Sequence, residues 1–127
     1  MQLPTLEQIL ELHNSSLKRF GGESGILHQV QLNDFVPLLQ QAIYLGNKRI
    51  IEVAAWIIVR LTQNHYFVDG NKRVALGTML NFLKSNKCVW KLPNRDFFYD
   101  LTMEIAMSQR SDILEFVEEN LRKVIMC

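Results

Sequence analysis

This chain of 127 residues lacks long hydrophobic runs, cysteine clusters and an excess of charge of either sign. Its longest apolar run, Ile50 to Val59, is interrupted by Glu52 and closed by Arg60. A bilayer span needs about 20 apolar residues, so no membrane crossing is read and the run is expected to be a buried core helix. Cys88 and Cys127 make no CxxC pair and have no histidines at ligand spacing. Neither a zinc site nor a disulfide framework follows, and two free thiols in a reducing compartment are expected. The N-terminus, MQLPTLEQIL, shows no basic stretch leading into an apolar core. No secretory signal is read there, and a cytoplasmic location is expected. A formal charge of +1 leaves no broad basic field for direct nucleic-acid binding, so any anion site must be local. No repeat, low-complexity tract or linker divides the chain, which predicts one domain over residues 1–127.

With 48% apolar and 21% charged residues, the composition is that of a globular domain with one core. Helical periodicity dominates. A first helix is predicted from about Leu6 to Phe20, opened by a Thr5/Gln8 capping box, with Leu6, Ile9, Leu10 and Leu17 on its apolar side. Gly21-Gly22 ends it. A second helix is predicted between about Asn33 and Leu45, with Pro37 tolerated in its first turn, and Gly46-Asn47 breaks it. IIEVAAWIIVRLTQ is apolar on nearly every side, as the central helix of a bundle would be. NKRVALGTMLNFLKSN follows with Val74, Leu76, Met79, Leu80 and Leu83 at helical spacing, closed by Asn86 and Lys87. Pro93-Asn94 opens another helix, and a last one is expected from about Ser111 to Val124. Only Cys88 to Leu92 has the character of a strand, so the predicted fold class is all-α.

Between the central helix and the next lies HYFVDGNKR, residues 65–73. Acidic residues are favoured in the first turn of a helix, where unpaired N–H groups and the positive end of the dipole are exposed. Here Lys72 and Arg73 occupy that turn instead. A bound anion would reverse the conflict, because amides and both cations would converge on it. Gly70 permits positive φ and close approach of a ligand, and Asn71 can donate to a phosphate oxygen. Asp69 is a hard oxygen ligand suited to Mg²⁺ shared with a polyphosphate. His65, of the residue type that exchanges protons near neutrality, can act as a base. Phe67 is expected to anchor the loop. Each part alone has a plainer reading: Asp-Gly-Asn as a turn, His65 as a surface residue, Lys-Arg as a solvated face. Their coincidence at one helix start favours a site that moves a phosphorus group onto a hydroxyl.

HYFVDGNKR with the following Val-Ala-Leu resembles the signature of the Fic/Doc superfamily, in particular its death-on-curing (Doc) toxin branch. The Fic form usually reads HxFx(D/E)GNGRxxR. The Doc form reads close to HxFxDxNKRxAL, which His65, Phe67, Asp69, Asn71, Lys72, Arg73, Ala75 and Leu76 satisfy. Arg19, Phe20, Gly21, Gly22 and Gly25 resemble the family's N-terminal helix end and glycine turn, and Leu80 to Asn86 resembles its FLxxNG helix end, with Lys87 where glycine is common. Lys72 replaces the Fic glycine and Leu76 the second Fic arginine, while His28 and Gln29 stand where Arg-Asp is frequent. Ser111 and Glu115 have the spacing of the Fic inhibitory helix, but Phe116 follows in place of its Gly or Asn.

The resemblance implies a Fic-like helical bundle and a toxin kinase using ATP and Mg²⁺. In that branch the target is elongation factor Tu, whose phosphorylation stops translation. Carried onto this chain, it implies His65 as the base, Asp69 as the Mg²⁺ ligand, and Gly70, Asn71, Lys72 and Arg73 as the phosphate site, with a supporting role for Arg19. It also implies a separate Phd-like antitoxin as partner. The alternatives left open are AMP transfer of the Fic type and a bundle that binds an antitoxin with its chemistry lapsed.

Overall fold

Helix α4 (Ile50–Gln63) lies at the centre of the fold because it has almost no polar side to offer to water: every residue from Val53 to Val59 is buried. Its exposed Arg60 lies over the Trp56 ring, 4.7 Å from the centroid. In the computed structural model, which describes residues 1–127, α4 packs against α5 (Asn71–Ser85), α7 (Ile113–Arg122), α6 (Phe97–Met107) and α3 (Phe35–Gly46). Helix α1 (Leu6–Phe20) lies along α5, and a single turn, α2 (Gln29–Asn33), precedes α3. The fold is the helical bundle expected, and none of its helices is long and apolar enough to cross a membrane.

Caps are present where they decide the layout, the predicted Thr5/Gln8 box and Asn86 closure among them. Thr5 Oγ1 accepts from the Gln8 N–H at 3.1 Å, and the Gln8 side chain accepts from the Thr5 N–H at 3.0 Å. Glu52 accepts from the Arg49 N–H at the start of α4. Asn86 closes α5 by donating to the Phe82 carbonyl, and it also bonds both backbone groups of Gln2, fixing the N-terminus. Lys87 follows in the left-handed region at φ 64°, a conformation that favours glycine.

Three expectations change. The helix predicted over 33–45 is α3, which starts at Phe35 with Pro37 in its first turn, where its missing N–H matters little. The unpredicted single turn α2 precedes it over Gln29–Asn33. The helix expected to open at Pro93-Asn94 starts only at Phe97, after Asn94 Oδ1 has accepted from the Asp96 N–H in a local turn. The last helix stops at Arg122, and the chain continues into β2 (Ile125–Met126), which pairs antiparallel with β1 (Val89–Trp90). The register sets Val89 opposite Met126 and Trp90 opposite Ile125, so Cys88 faces Cys127 and the two form a disulfide. The expectation of two free thiols is therefore overturned. The pairing depends on a strand that has no signature of its own in the sequence.

Candidate functional site

After α4 the chain alternates between exposed and buried residues. His65 is exposed, Tyr66 and Phe67 are buried, and Val68 and Asp69 are exposed again. The two aromatic anchors thus hold the loop down while presenting its polar residues to solvent. His65 has φ 50°, a left-handed conformation that non-glycine residues seldom adopt and that concentrates at functional sites. Phe67, expected to anchor the loop, is only 1% exposed. Tyr66 is a second anchor, its hydroxyl accepting from Asn64 Nδ2 at 3.0 Å.

A stretch after the glycine turn lies antiparallel to the loop. Val68 N–H donates to the Gly25 carbonyl, Leu27 N–H donates to the Tyr66 carbonyl, and Ile26 pairs with Phe67 as an isolated bridge. This brings Gly22 against Asp69. A Cβ on Gly22 would stand 2.7 Å from Asp69 Oδ2, and φ there is +120°, so glycine is required twice over. The carboxylate accepts from the Gly70 N–H at 2.8 Å through Oδ1 and from the Glu23 N–H at 3.3 Å through Oδ2. Those N–H groups, Gly70 first, hold the Asp69 pKa below the ordinary carboxylate value, with smaller help from Arg73 and Lys72.

Helix α5 begins at Gly70, left-handed at φ 82°, with no side-chain cap and no acid in its first turn. Its first-turn amides therefore lie beside Lys72 and Arg73, as the sequence predicts. Lys72 is exposed and pairs with no carboxylate. Arg73 also reaches back to α1. Its Nε donates to Ser16 Oγ at 2.7 Å and its Nη2 to the Gly21 carbonyl at 3.2 Å, tying the start of α5 to the end of α1. The Phe20 ring receives two guanidiniums, those of Arg73 and Arg19, each 5.3 Å from its centroid. Asn71 is engaged too. Its Oδ1 accepts from the Phe67 N–H and its Nδ2 donates to the Phe67 carbonyl, stapling the loop and leaving one amide hydrogen free.

The fold thus gathers Asp69, Gly70, Asn71, Lys72 and Arg73 at one helix start, brings Arg19 to its edge through Phe20, and leaves His65 exposed in the same loop. Residues 3–83, spanning α1 to most of α5, match the Fic/DOC family. The chain belongs to the Fic/DOC family. It is 31% identical over 115 residues to the protein kinase Doc of Escherichia phage P1, covering 85% of this chain and 89% of that protein. The span matched to the Fic/DOC family contains every residue of the site, whereas α6, α7 and the β1–β2 clip lie outside it. Sequence reasoning did not assign Ser16 or His13, both on α1 and both bonded to the motif.

Proposed function

We propose that this protein is a Doc-like toxin that transfers the γ-phosphate of ATP to a serine or threonine hydroxyl of a translation factor, elongation factor Tu being the expected target. The observation that carries the reading is the start of α5, where uncapped amides, Lys72 and Arg73 stand beside an exposed, ionised Asp69. His65 takes the proton of the target hydroxyl as its oxygen bonds to the γ-phosphorus. The bond from that phosphorus to the β–γ bridging oxygen breaks, and ADP leaves. The first-turn amides, Lys72 and Arg73 hold the phosphate oxygens, with the free amide hydrogen of Asn71 in reach of the same turn. Gly70 keeps the turn open to the ligand.

The chemistry of the donor set fits Mg²⁺ held jointly with phosphates. Asp69 is an exposed carboxylate at the helix start, the kind of single oxygen donor that can share a hard cation with substrate phosphates. When bound, the ion supplies charge neutralisation on the phosphates; Asp69 would hold it. Arg19 supports the site by packing on Phe20 beside Arg73. A Phd-like antitoxin would restrain the toxin, and elongation factor Tu places its work in the cytoplasm.

Lys72, standing where Fic enzymes carry glycine, decides which phosphate faces the hydroxyl. The test is incubation with elongation factor Tu and ATP labelled at either the γ or the α position. Label from γ-labelled ATP that falls by at least about a hundred-fold in His65→Ala is expected. Transfer from α-labelled ATP alone would make the protein an AMP transferase, and no transfer above the His65→Ala control would overturn the enzyme reading.

A further inference from the structure

One buried imidazole has no part in the chemistry above. His13, on α1, is 4% exposed, and its ring stacks on Phe67 with centroids 3.9 Å apart and planes 16° from parallel. Its Nε2 lies 2.8 Å from the carbonyl oxygen of Asp69. A carbonyl only accepts, so Nε2 carries the proton and donates. The other end of that peptide is held as well, by the Gly70 N–H donating to the Asp69 carboxylate at 2.8 Å. The Asp69–Gly70 peptide is therefore pinned at its oxygen and at its nitrogen.

Gly70 itself does not choose this orientation. Glycine populates positive and negative φ about equally, and the peptide before it can turn over by rotating ψ of Asp69 and φ of Gly70 together. Turned over, the peptide would present its carbonyl to the Asp69 carboxylate. The N–H that orients the carboxylate would be lost, and two negative ends would face each other. The Gly70 N–H bond resists this from the nitrogen end, and at the oxygen end the restraint is the His13 donor on the Asp69 carbonyl.

We propose that His13 is a positioning residue, whose Nε2–H latches the Asp69–Gly70 peptide so that Gly70 N–H holds the Asp69 carboxylate in its working direction. What the carboxylate then does rests on the phosphoryl-transfer reading; the latch itself does not.

The test uses wild type, His13→Phe and His13→Gln. Phenylalanine keeps the buried ring and removes the donor, whereas glutamine restores an N–H at similar reach without the ring. The structural readout is the NOE from Asp69 Hα to the Gly70 amide, whose intensity depends on ψ of Asp69, in a chain with only six glycines to assign. In His13→Phe this NOE is expected to change and kcat to fall by about ten- to a hundred-fold, with His13→Gln recovering most of both. An unchanged NOE with kcat within about twofold of wild type in His13→Phe would overturn the latch. So would a parallel loss in both variants that tracks their Tm. Absence of transfer in the wild type would sink the kinase reading instead, and the NOE alone would then decide the latch.

Discussion

Helices α1 and α5 are both 15 residues long, lie against each other and begin in opposite ways. Helix α1 has a threonine cap, a reciprocal glutamine and Glu7 in its first turn. Helix α5 has a left-handed glycine, no side-chain cap and two cations. The first arrangement serves stability, and each of its parts agrees with the dipole. In the second, Lys72 and Arg73 oppose the dipole, and an anion bound at the helix start would turn that opposition into attraction. A helix start that the fold alone would select against is thus held in place by the loop before it and by α1: by Asn71 on Phe67, by Gly70 on Asp69, and by Arg73 on Ser16.

Making α5 begin as α1 does should have the largest effect. Lys72→Glu is expected to lower phosphoryl transfer by at least about a hundred-fold, because an acid would occupy the anion's place. The same change should raise stability by about 0.5–1 kcal/mol, seen as a higher Tm. A variant that lost both activity and Tm would break the comparison.

Next in size is Gly22→Ala, which drives a methyl group towards Asp69 Oδ2 and forces a side chain into a strained backbone region. A stability loss of about 1–3 kcal/mol is expected, read by denaturant unfolding. A carboxyl titration should read out the displaced Asp69. Its folded pKa lies below 3.8, so its ionised form stabilises the fold above that pH, and the contribution is lost as pH falls through the lower folded value. In Gly22→Ala the midpoint should move back up towards 3.8. An unmoved midpoint would show that the turn does not set the carboxylate.

Thr5→Ala sharpens the comparison from the other helix. Loss of the cap should cost about 1 kcal/mol, and transfer per folded molecule should stay at the wild-type level. The smallest effect is expected at Glu118, whose pKa is raised by burial and by the nearby charge of Glu52. Its charged form costs stability as pH rises from the ordinary value of 4.5 through the folded value. Glu118→Gln should therefore raise Tm slightly at pH 7, by an amount within the range of about 0–1 kcal/mol for exposed charges, and leave it unchanged near pH 4. A gain of equal size at both pH values would contradict the assignment.

Much of this was legible in the chain. Helix α1 announces itself by period and capping box, α4 by its nearly unbroken apolar run and α5 by its period. The conflict at Lys72 and Arg73 is visible without coordinates. Other features depend on contacts between distant segments. Strand β2 is too short to show a period, so Cys127 gave no sign of facing Cys88. Asn71 reads equally well as a phosphate donor or as a staple until the Phe67 backbone is seen beside it. His13 did leave a signal: it falls four residues after Ile9 and four before Leu17, a polar residue on the apolar stripe of α1. Knowing what that stripe faces was needed to read it.

The burial of α4 on all sides also has a consequence for the order of synthesis. A chain that has reached Ser85 already contains every residue of the site. Yet the face of α4 that packs on α7 would still be open to water, since Ile113, Val117 and Leu121 have not been made. The nascent protein would therefore remain an unfinished bundle until α7 emerges. A truncation after α5 should likewise yield a chain that holds the whole motif and does not fold.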